Sequence, residues 1–514
     1  MLDPTQHLAL ETLQLNKQAF IFCPSRASAE KTAEEIAKLT SFQHPELEQK
    51  ILHAVSTPTK QCRRLSHCVR KGIAFHHAGL VAAQRELIET EFRNGTLRII
   101  CATPTLAMGL SLPAFRVIIK SLKRYSEQWG MDWIPVLEYL QMAGRAGRPE
   151  FEKFGEAIAM ANSEAEKEEI HARYICGEPE EIYSKLAAEP VLRTYLLSLI
   201  STSIIHDQPS MNEFFRQTFW AHQYGDLEKL QILLVRMFSL LEQWEFVKSS
   251  SGEQGDFVAA SSVAASSVGK AAAFRATLIG QRVSELYLDP LTARHLLDGL
   301  RNAAEMTMTP FSLLQLICCT LEMRPLLRLR KKDEELVQEE LTKHYGQLLM
   351  NEPSPFDPDY DDFINSVKTA LFLEDWISEK DEDFLMEKYD IRPGEIRAKL
   401  EIADWLLYAL EELSTLLHYR EALREIRKVR LRVQDGVKEE LLPLLKLKGI
   451  GRVRGRKLYS NSIRDLGDVK KAGLATLSQI LGKAIAEDVQ KQVGEEVEAV
   501  PEGKRKGQVS VTKF

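Results

Sequence analysis

The 514-residue sequence has few cysteines and lacks long apolar runs. Its seven cysteines are scattered through the chain, which is typical of a reducing intracellular compartment. No basic-then-apolar leader opens the chain, and runs such as residues 312–321 reach about half of the roughly 20 residues that a membrane helix needs. The Cys and His residues between positions 62 and 77 match no zinc-ligand spacing. We therefore predict a soluble, cytoplasmic protein without membrane contact or a metal ligated by the chain.

Two motifs that hold nucleoside triphosphates are also missing. No GxxxxGK[ST] phosphate loop occurs, because the Gly-Lys pairs at Gly269, Gly482 and Gly503 lack the upstream glycine, the following Ser or Thr, or both. No Asp-Glu-x-His or Asp-Glu-Ala-Asp box for magnesium is present either. The net charge of -6 says little about partners, because acidic stretches such as 352–363 alternate with basic ones such as 427–432.

The first third of the chain alternates strand and helix patterns. The pattern has four short apolar runs, AFIFCPS, GIAFHHAG, LRIICATPT and FRVIIKS. Helical stretches follow the first two runs, as ASAEKTAEEIAKL does after AFIFCPS. Such alternation predicts a parallel sheet covered on both faces, with ligands at the carboxyl ends of the strands. From about residue 180 to 445 helical periodicity dominates. The predicted fold is an α/β lobe followed by mostly α domains.

The stretch LQMAGRAGRP carries a fork of hydrogen-bond donors. Gln141, Arg145 and Arg148 are spaced so that all three can address one ligand, and two glycines allow its close approach. A phosphate is the natural ligand for such a fork, although an isolated GRAGR is more often a surface turn with solvated arginines.

Four motifs in order resemble those of superfamily 2 helicases. FIFCPSRASAEKTA, FHHAGL, CATPTLAMGLSLPA and QMAGRAGRP resemble motifs IV, IVa, V and VI of the second RecA-like lobe. Nearly the whole chain resembles the Hjm family of archaeal DNA repair helicases, relatives of the eukaryotic HELQ proteins. The resemblance implies that Gln141, Arg145 and Arg148 face the phosphates of ATP with its Mg²⁺, Arg148 acting as the arginine finger, and that Gly109 contacts the nucleotide. Ser111 departs from the family, which usually has Asn there.

A first lobe is expected from a separate polypeptide. About twenty residues precede the first predicted strand, and the phosphate loop and magnesium box belong to the first lobe in this family. We therefore expect ATP to be bound mainly by that missing lobe, and the chain alone to hydrolyse no ATP.

Several residues of the α/β lobe are candidates for binding single-stranded DNA. Ser25, Arg26, Thr103 and Thr105 fall at strand ends, where they can bind successive phosphates. Short hydroxyls at strand ends also cap helices. Tyr125 lies in residues 123–136, where the family has a strand-separating β-hairpin. Its aromatic residues suit stacking on a base, or they pin the hairpin to a neighbouring domain.

The resemblance divides the chain into five parts. These are a second RecA-like lobe at 1–180, a winged helix at 181–295 with a Ser/Ala-rich insertion at 249–273, a helical ratchet domain at 296–414, a helix-hairpin-helix domain at 415–500, and a basic tail at 501–514.

One helix of the ratchet domain has an apolar stripe formed by Ile396, Leu400, Ala403, Leu407 and Leu410. Trp405 falls at the border of this stripe, where it either stacks on a base or closes the edge of a core. Arg397 on the opposite face is either a DNA contact or a solvated charge.

The helix-hairpin-helix resemblance rests on LKGIGRVRGRK. Gly449 and Gly451 allow a turn whose backbone N–H groups can hold a phosphate, and Arg452 and Arg454 add positive charge. The tail GQVSVTKF resembles a sliding-clamp peptide through Gln508, Val511 and Phe514, although it has one terminal aromatic residue where the pattern has two. A disordered basic tail fits the same residues.

The combined hypothesis is the C-terminal part of an ATP-dependent DNA helicase. It would translocate on single-stranded DNA, unwind forked or damaged duplexes in repair, and need a first lobe in trans. Alternatives are an ATP-independent DNA-binding and clamp-recruiting remnant, against which the intact arginines speak, and half of a related RNA helicase, against which the helix-hairpin-helix speaks.

Overall fold

The computed structural model describes residues 3–55, 58–107, 112–126, 130–147, 154–250, 272–303, 306 and 308–494. The chain forms two compact units. The first consists of Met1–Ser184 and Glu382–Lys399, and the second consists of Lys185–Asp381 and Leu400–Phe514.

Strands and helices alternate in the first unit. Its elements up to residue 184 are α1 (Pro4–Gln14), β1 (Ala19–Phe22), α2 (Arg26–Lys38), α3 (Pro45–His53), α4 (Lys60–Arg70), β2 (Ile73–His76), α5 (Ala82–Arg93), β3 (Ile99–Ala102), β4 (Arg116–Ile119), β5 (Lys123–Ser126), β6 (Gly130–Trp133), α6 (Val136–Ala143), β7 (Glu156–Ala159) and α7 (Glu164–Ile170).

Within the described residues, five strands form one sheet in the order β2-β3-β1-β4-β7, and neighbouring strands run parallel. Phe22 of β1 pairs with Ala102 of β3 and with Ile119 of β4, so these strands end at one level. Strands β1 to β4 are buried throughout, as in sheets covered by helices on both faces. The predicted parallel α/β lobe is confirmed. Strand β7 was not predicted, because its half-exposed residues form no continuous apolar run.

The rest of the chain is mostly helical, as predicted. Its elements are α8 (Glu189–Ser201), α9 (Gln208–Arg216), α10 (Phe219–Tyr224), α11 (Leu227–Gln243), β8 (Val247–Ser250), β9 (Ala273–Ala276), α12 (Leu278–Glu285), α13 (Pro290–Ala303), α14 (Pro310–Cys318), α15 (Glu334–Lys343), α16 (Tyr360–Ile377), α17 (Glu382–Tyr389), α18 (Pro393–Leu416), α19 (Arg420–Asp435), α20 (Arg452–Ser460), α21 (Leu466–Lys471), α22 (Leu474–Leu481) and α23 (Lys483–Gly494). Helix α17 and the residues of α18 up to Lys399 belong to the first unit.

The stripe predicted on the long helix α18 is buried. Ile396, Ala403, Leu407 and Leu410 are fully inaccessible, and Leu400 is nearly so. Burying these side chains stabilises the helix, because helices gain most of their stability in proteins from packing an apolar face. Strands β8 and β9 form an antiparallel hairpin that joins the two ends of the Ser/Ala-rich segment, whose residues 251–271 lie outside the described part of the chain.

The seven cysteines have different environments. Cys23, Cys62, Cys68, Cys101 and Cys318 are buried, Cys319 is half-buried, and Cys176 is exposed. Burial raises the pKa of the Cys68 thiol to about 12 and raises the pKa of Cys23 and Cys101 as well. In the described part of the chain, every helix is too short or too polar to span a bilayer.

Candidate functional site

Four predicted DNA contacts share the carboxyl edge of the sheet. Ser25 and Arg26 follow β1, and Thr103 and Thr105 follow the adjacent parallel strand β3. The two threonine hydroxyls lie 2.9 Å apart, and Thr105 is exposed. This edge therefore presents short hydroxyl groups where an open α/β sheet binds ligands.

Ser25 caps a helix. Its Oγ accepts a hydrogen bond from the backbone N–H of Ser28, at 3.2 Å, and so begins α2. The guanidinium of Arg26 forms an ion pair with Glu395 of α18, within the same unit. Each side chain therefore has an intramolecular partner, and binding of DNA phosphates by them remains a prediction.

Helix α6, which carries the first part of motif VI, is capped from a distant part of the chain. The Glu180 carboxylate accepts hydrogen bonds from the N–H groups of Val136, at 2.6 Å, and Leu137, at 3.1 Å. The bond from Val136 is the main cause of the lowered pKa of Glu180. A negative charge at a helix N-terminus is also stabilised by the helix dipole.

Within motif VI, Gln141 and Arg145 differ in their contacts. The buried Oε1 of Gln141 has no hydrogen-bond partner among the described residues. The guanidinium of Arg145 donates to the carbonyl of Ala107, from Nε at 3.1 Å and from Nη2 at 2.5 Å. Arg145 therefore joins motif VI to the loop of motif V. Arg148 and Gly109, the other predicted nucleotide contacts, lie outside the described residues.

The backbone around motif VI is closely packed. The N–H of Gly147 donates to the carbonyl of Ala114, at 2.7 Å, and Gly147 has a φ of +96°, which favours glycine. A Cβ placed on Gly155 would lie 2.2 Å from the nitrogen of Gly147. The second glycine of Ala-Gly-Arg-Ala-Gly-Arg is therefore required by its positive φ and by the close approach of Gly155.

The β-hairpin expected between motifs V and VI is present. Strands β5 and β6 are antiparallel, and Tyr125 pairs with Met131, whose side chain is exposed. The side chain of Tyr125 lies outside the described part, as does Trp129. The ring centroids of Trp133 and Tyr174 lie 6.0 Å apart, and Lys123 Nζ lies 4.2 Å from the centroid of the Trp133 ring. Trp133 therefore helps to attach the hairpin to the lobe.

The two candidates on α18 also have partners. Arg397 Nη2 lies 2.6 Å from the Glu382 carboxylate, and nearly half of the Arg397 side chain is exposed. Trp405 is half-buried, and its Nε1 donates to the carbonyl of Leu286, at 3.2 Å. The partly open surfaces of both side chains leave DNA contact as a prediction.

The predicted phosphate-binding turn lies directly before α20. Gly449 has a φ of +83°, Gly451 is the N-cap of α20, and a Cβ on either glycine would meet only open space. Arg454 Nη1 donates to the Gly449 carbonyl, at 2.7 Å, and Arg452 Nη2 donates to the carbonyl of Lys380, at 2.7 Å. The tail residues Gln508, Val511 and Phe514 lie outside the described residues.

A buried polar cluster beside motif IVa was not predicted. The Glu30 carboxylate accepts hydrogen bonds from Gln61, at 2.8 Å, and from His77, at 3.1 Å, and it forms ion pairs with Arg64 and Arg392. Burial opposes ionisation of Glu30, but these donors and charges outweigh it and lower the pKa to about 2. Burial lowers the pKa of His77. One signal was available in the sequence, since Glu30 lies four residues after Arg26 on the same face of α2.

Among the described residues, no three or more His, Cys, Asp or Glu side chains gather as a potential metal site. The fold and this edge together define an α/β lobe whose parallel sheet presents polar side chains at the carboxyl ends of its strands. Residues 49–150 match the family described as helicase conserved C-terminal domain, and residues 311–436 match archaeal helicase, domain 4.

Three curated relatives, each named ATP-dependent DNA helicase Hel308, match almost the whole chain. The relative from Methanocella arvoryzae is 36% identical over 97% of this chain and 66% of its own length. The relatives from Pyrococcus horikoshii and Pyrococcus abyssi are each 34% identical, over 96% and 98% of this chain and 66% and 67% of their own lengths. The chain belongs to the Hel308 family, and it spans about two thirds of the length of these relatives. The predicted resemblance to archaeal superfamily 2 DNA helicases is confirmed.

Proposed function

We propose that this chain is the C-terminal, DNA-binding part of an ATP-dependent DNA helicase. The helicase would translocate on single-stranded DNA and unwind forked duplexes in repair. Its relatives are named ATP-dependent DNA helicases. The observation that carries the proposal is the buried Gln141 Oε1, which has no hydrogen-bond partner among the described residues and lies in the same motif as Arg145. An amide at this position can accept from the attacking water and donate to a phosphate, which is a role that glutamines perform in phosphoryl transfer.

The sequence shows no GxxxxGK[ST] phosphate loop and no Asp-Glu-x-His or Asp-Glu-Ala-Asp box, the motifs on which we expect ATP hydrolysis to depend. We propose that a first RecA-like lobe supplies both and binds most of the ATP and Mg²⁺. In this arrangement Arg148 reaches the γ phosphate across the cleft, Gly109 lies against the nucleotide, and Arg145 holds the motif V loop in place.

The DNA contacts follow the predicted division of the chain. Ser25, Arg26, Thr103 and Thr105 bind phosphates of one strand, and the β5-β6 hairpin with Tyr125 separates the strands. Helices α8 to α12 with the β8-β9 hairpin support a winged helix. Arg397 and Trp405 contact the strand from the ratchet domain. The open Gly449 to Gly451 turn before α20 supports a helix-hairpin-helix with Arg452 and Arg454 as phosphate ligands. Gln508, Val511 and Phe514 are proposed to bind a sliding clamp.

Reconstitution tests the proposal. The full chain is mixed with a separately produced first lobe from a relative, and ATP hydrolysis is measured with and without single-stranded DNA. We expect hydrolysis only in the mixture, stimulation by DNA, and a loss of about 10³-fold to 10⁵-fold for Arg148→Ala, the usual cost of removing an arginine finger. Hydrolysis that survives Arg148→Ala would contradict the assigned role. DNA binding without hydrolysis in a verified mixture would favour an ATP-independent module, and tighter binding to RNA than to forked DNA would favour an RNA helicase.

A further inference from the structure

We infer that Glu30 and His77 are positioning residues in a joint that couples the second lobe to the start of helix α18. The joint is defined by Glu30, His77, Gly79, Arg392, Gly394 and Glu395. All six residues belong to the first unit. The inference rests on the proposed function, because a joint matters only if the lobe moves during ATP turnover.

The first observation is a matched set of charges. Arg26 and Glu30 lie one turn apart on α2, while Arg392 and Glu395 lie three residues apart where α18 begins. Arg26 pairs with Glu395, and Glu30 pairs with Arg392. Each positive charge of one segment therefore faces a negative charge of the other, which fixes both the register and the orientation of the two segments.

A chain of hydrogen bonds adds a second connection. His77 Nδ1 accepts from the N–H of Gly79, at 3.1 Å, so His77 carries its proton on Nε2, which donates to Glu30, at 3.1 Å. The carbonyl of Gly79 then accepts from the N–H of Gly394, at 3.0 Å. The neutral imidazole is satisfied on both sides and holds the motif IVa loop in the shape that receives α18.

The third observation is the closeness of the two backbones. A Cβ on Gly394 would lie 2.2 Å from the carbonyl oxygen of Ala78 and 2.7 Å from that of Leu80. Only glycine fits at this contact, so the first turn of α18 lies directly on the motif IVa loop.

The joint connects two sets of proposed DNA contacts. Motif IV contains Ser25 and Arg26, and Arg26 lies one turn before Glu30. Arg397 lies within one turn of Gly394 on α18. The N–H of Thr103 also donates to the carbonyl of His76, which precedes the joint, at 3.3 Å. A rigid joint makes Arg397 move with the phosphate-binding edge when the lobe moves, because packed elements shift as bodies.

The experiment measures ATP hydrolysed per base pair unwound in the reconstituted full chain carrying Gly394→Ala. Alanine favours helix by about 1 kcal/mol over glycine, so α18 itself should form. Gly494→Ala is the matched control, because a Cβ there meets nothing within 4 Å at the end of another helix. Hydrogen exchange of the backbone around residues 392–396 reports on the joint in the chain alone.

We expect Gly394→Ala to leave DNA-stimulated hydrolysis within about twofold and to raise the ATP consumed per base pair by roughly 10-fold to 100-fold, the effect of displacing a functional group by about 1 Å. Hydrogen exchange at residues 392–396 should become faster in Gly394→Ala. Arg392→Ala should likewise raise the ATP consumed per base pair, and Arg392→Lys should bring it back towards the wild-type value. Unchanged consumption in Gly394→Ala would overturn the joint while leaving the proposed function intact. Absence of hydrolysis by the wild-type mixture would overturn the proposed function, and the joint with it.

Discussion

Replacing Glu30 by glutamine should destabilise the first unit strongly, and by an amount that depends on pH. Glu30 is almost completely buried and accepts from Gln61, His77, Arg64 and Arg392, which lose a charged partner in Glu30→Gln. Breaking a buried ion pair by removing one partner costs about 3 to 5 kcal/mol.

The pKa of Glu30 gives a second value for the same cost. The carboxyl has a pKa of about 2 in the folded chain against an ordinary value of 4.5. Lowering the pKa from 4.5 to about 2 corresponds to about 3 kcal/mol of stability near neutral pH. The folded pKa is the lower one, so this contribution is complete above pH 4.5 and is lost as the pH falls towards 2. About half of it should remain at roughly pH 3 to 3.5.

The assay is the urea dependence of hydrogen exchange in peptides from β1 and α2, which reports on the first unit separately. We expect the free energies of unfolding of the first unit in wild type and in Glu30→Gln to differ by about 3 kcal/mol at pH 6 and by roughly 1.5 to 2 kcal/mol at pH 3 to 3.5. Glu34→Gln is the control on the same helix, since its half-exposed pair with Arg64 should contribute at most about 1 kcal/mol. A difference for Glu30→Gln that is equal at both pH values, or no larger than that of Glu34→Gln, would show that the ionised Glu30 carboxylate does not stabilise this unit.

Three further changes test individual contacts. Arg145→Ala removes two hydrogen bonds to the Ala107 carbonyl, so exchange at residues 104–107 should rise by the equivalent of about 1 to 3 kcal/mol; unchanged exchange would show that Arg145 does not hold this loop. Arg454→Ala should weaken DNA binding and reduce the slope of log affinity against log salt by about 1, whereas Arg236→Ala on the exposed face of α11 should leave the slope unchanged. Trp405→Phe removes the hydrogen bond to Leu286 and should cost about 1 kcal/mol of stability, but it should keep most of the affinity for single-stranded DNA. Trp405→Ala should weaken the binding of single-stranded DNA by about 1 to 3 kcal/mol. Equal affinities of both variants in a binding titration would show that Trp405 serves packing alone.

The sequence predicted the elements whose signals are local. Strands β1 to β4 are mostly apolar runs, and the stripe from Ile396 to Leu410 repeats at helical spacing, so both could be predicted without tertiary information. The hairpin and the glycine turn before α20 followed from resemblance and turn chemistry.

The joint could not be predicted in the same way. Arg392 and Glu30 are 362 residues apart, and in the sequence each resembles an ordinary surface charge. Their partnership depends on tertiary packing, which places the start of α18 against the motif IVa loop. For the same reason the bond between Arg145 and Ala107 was missed. The phosphate contact expected of Arg145 stays a prediction beside this bond to a backbone carbonyl.

The different environments of the cysteines allow the proposed motion to be followed by labelling one natural thiol. A maleimide reacts with an accessible thiolate. The thiols of Cys23, Cys68 and Cys101 are buried, and their raised pKa values keep them protonated, so they should react slowly. Cys176 is the exposed thiol among the seven, and it follows α7 in the first unit. The unmodified chain can therefore carry a fluorophore on the lobe at one natural position, and changes in its emission during turnover would follow the motor without any engineered cysteine.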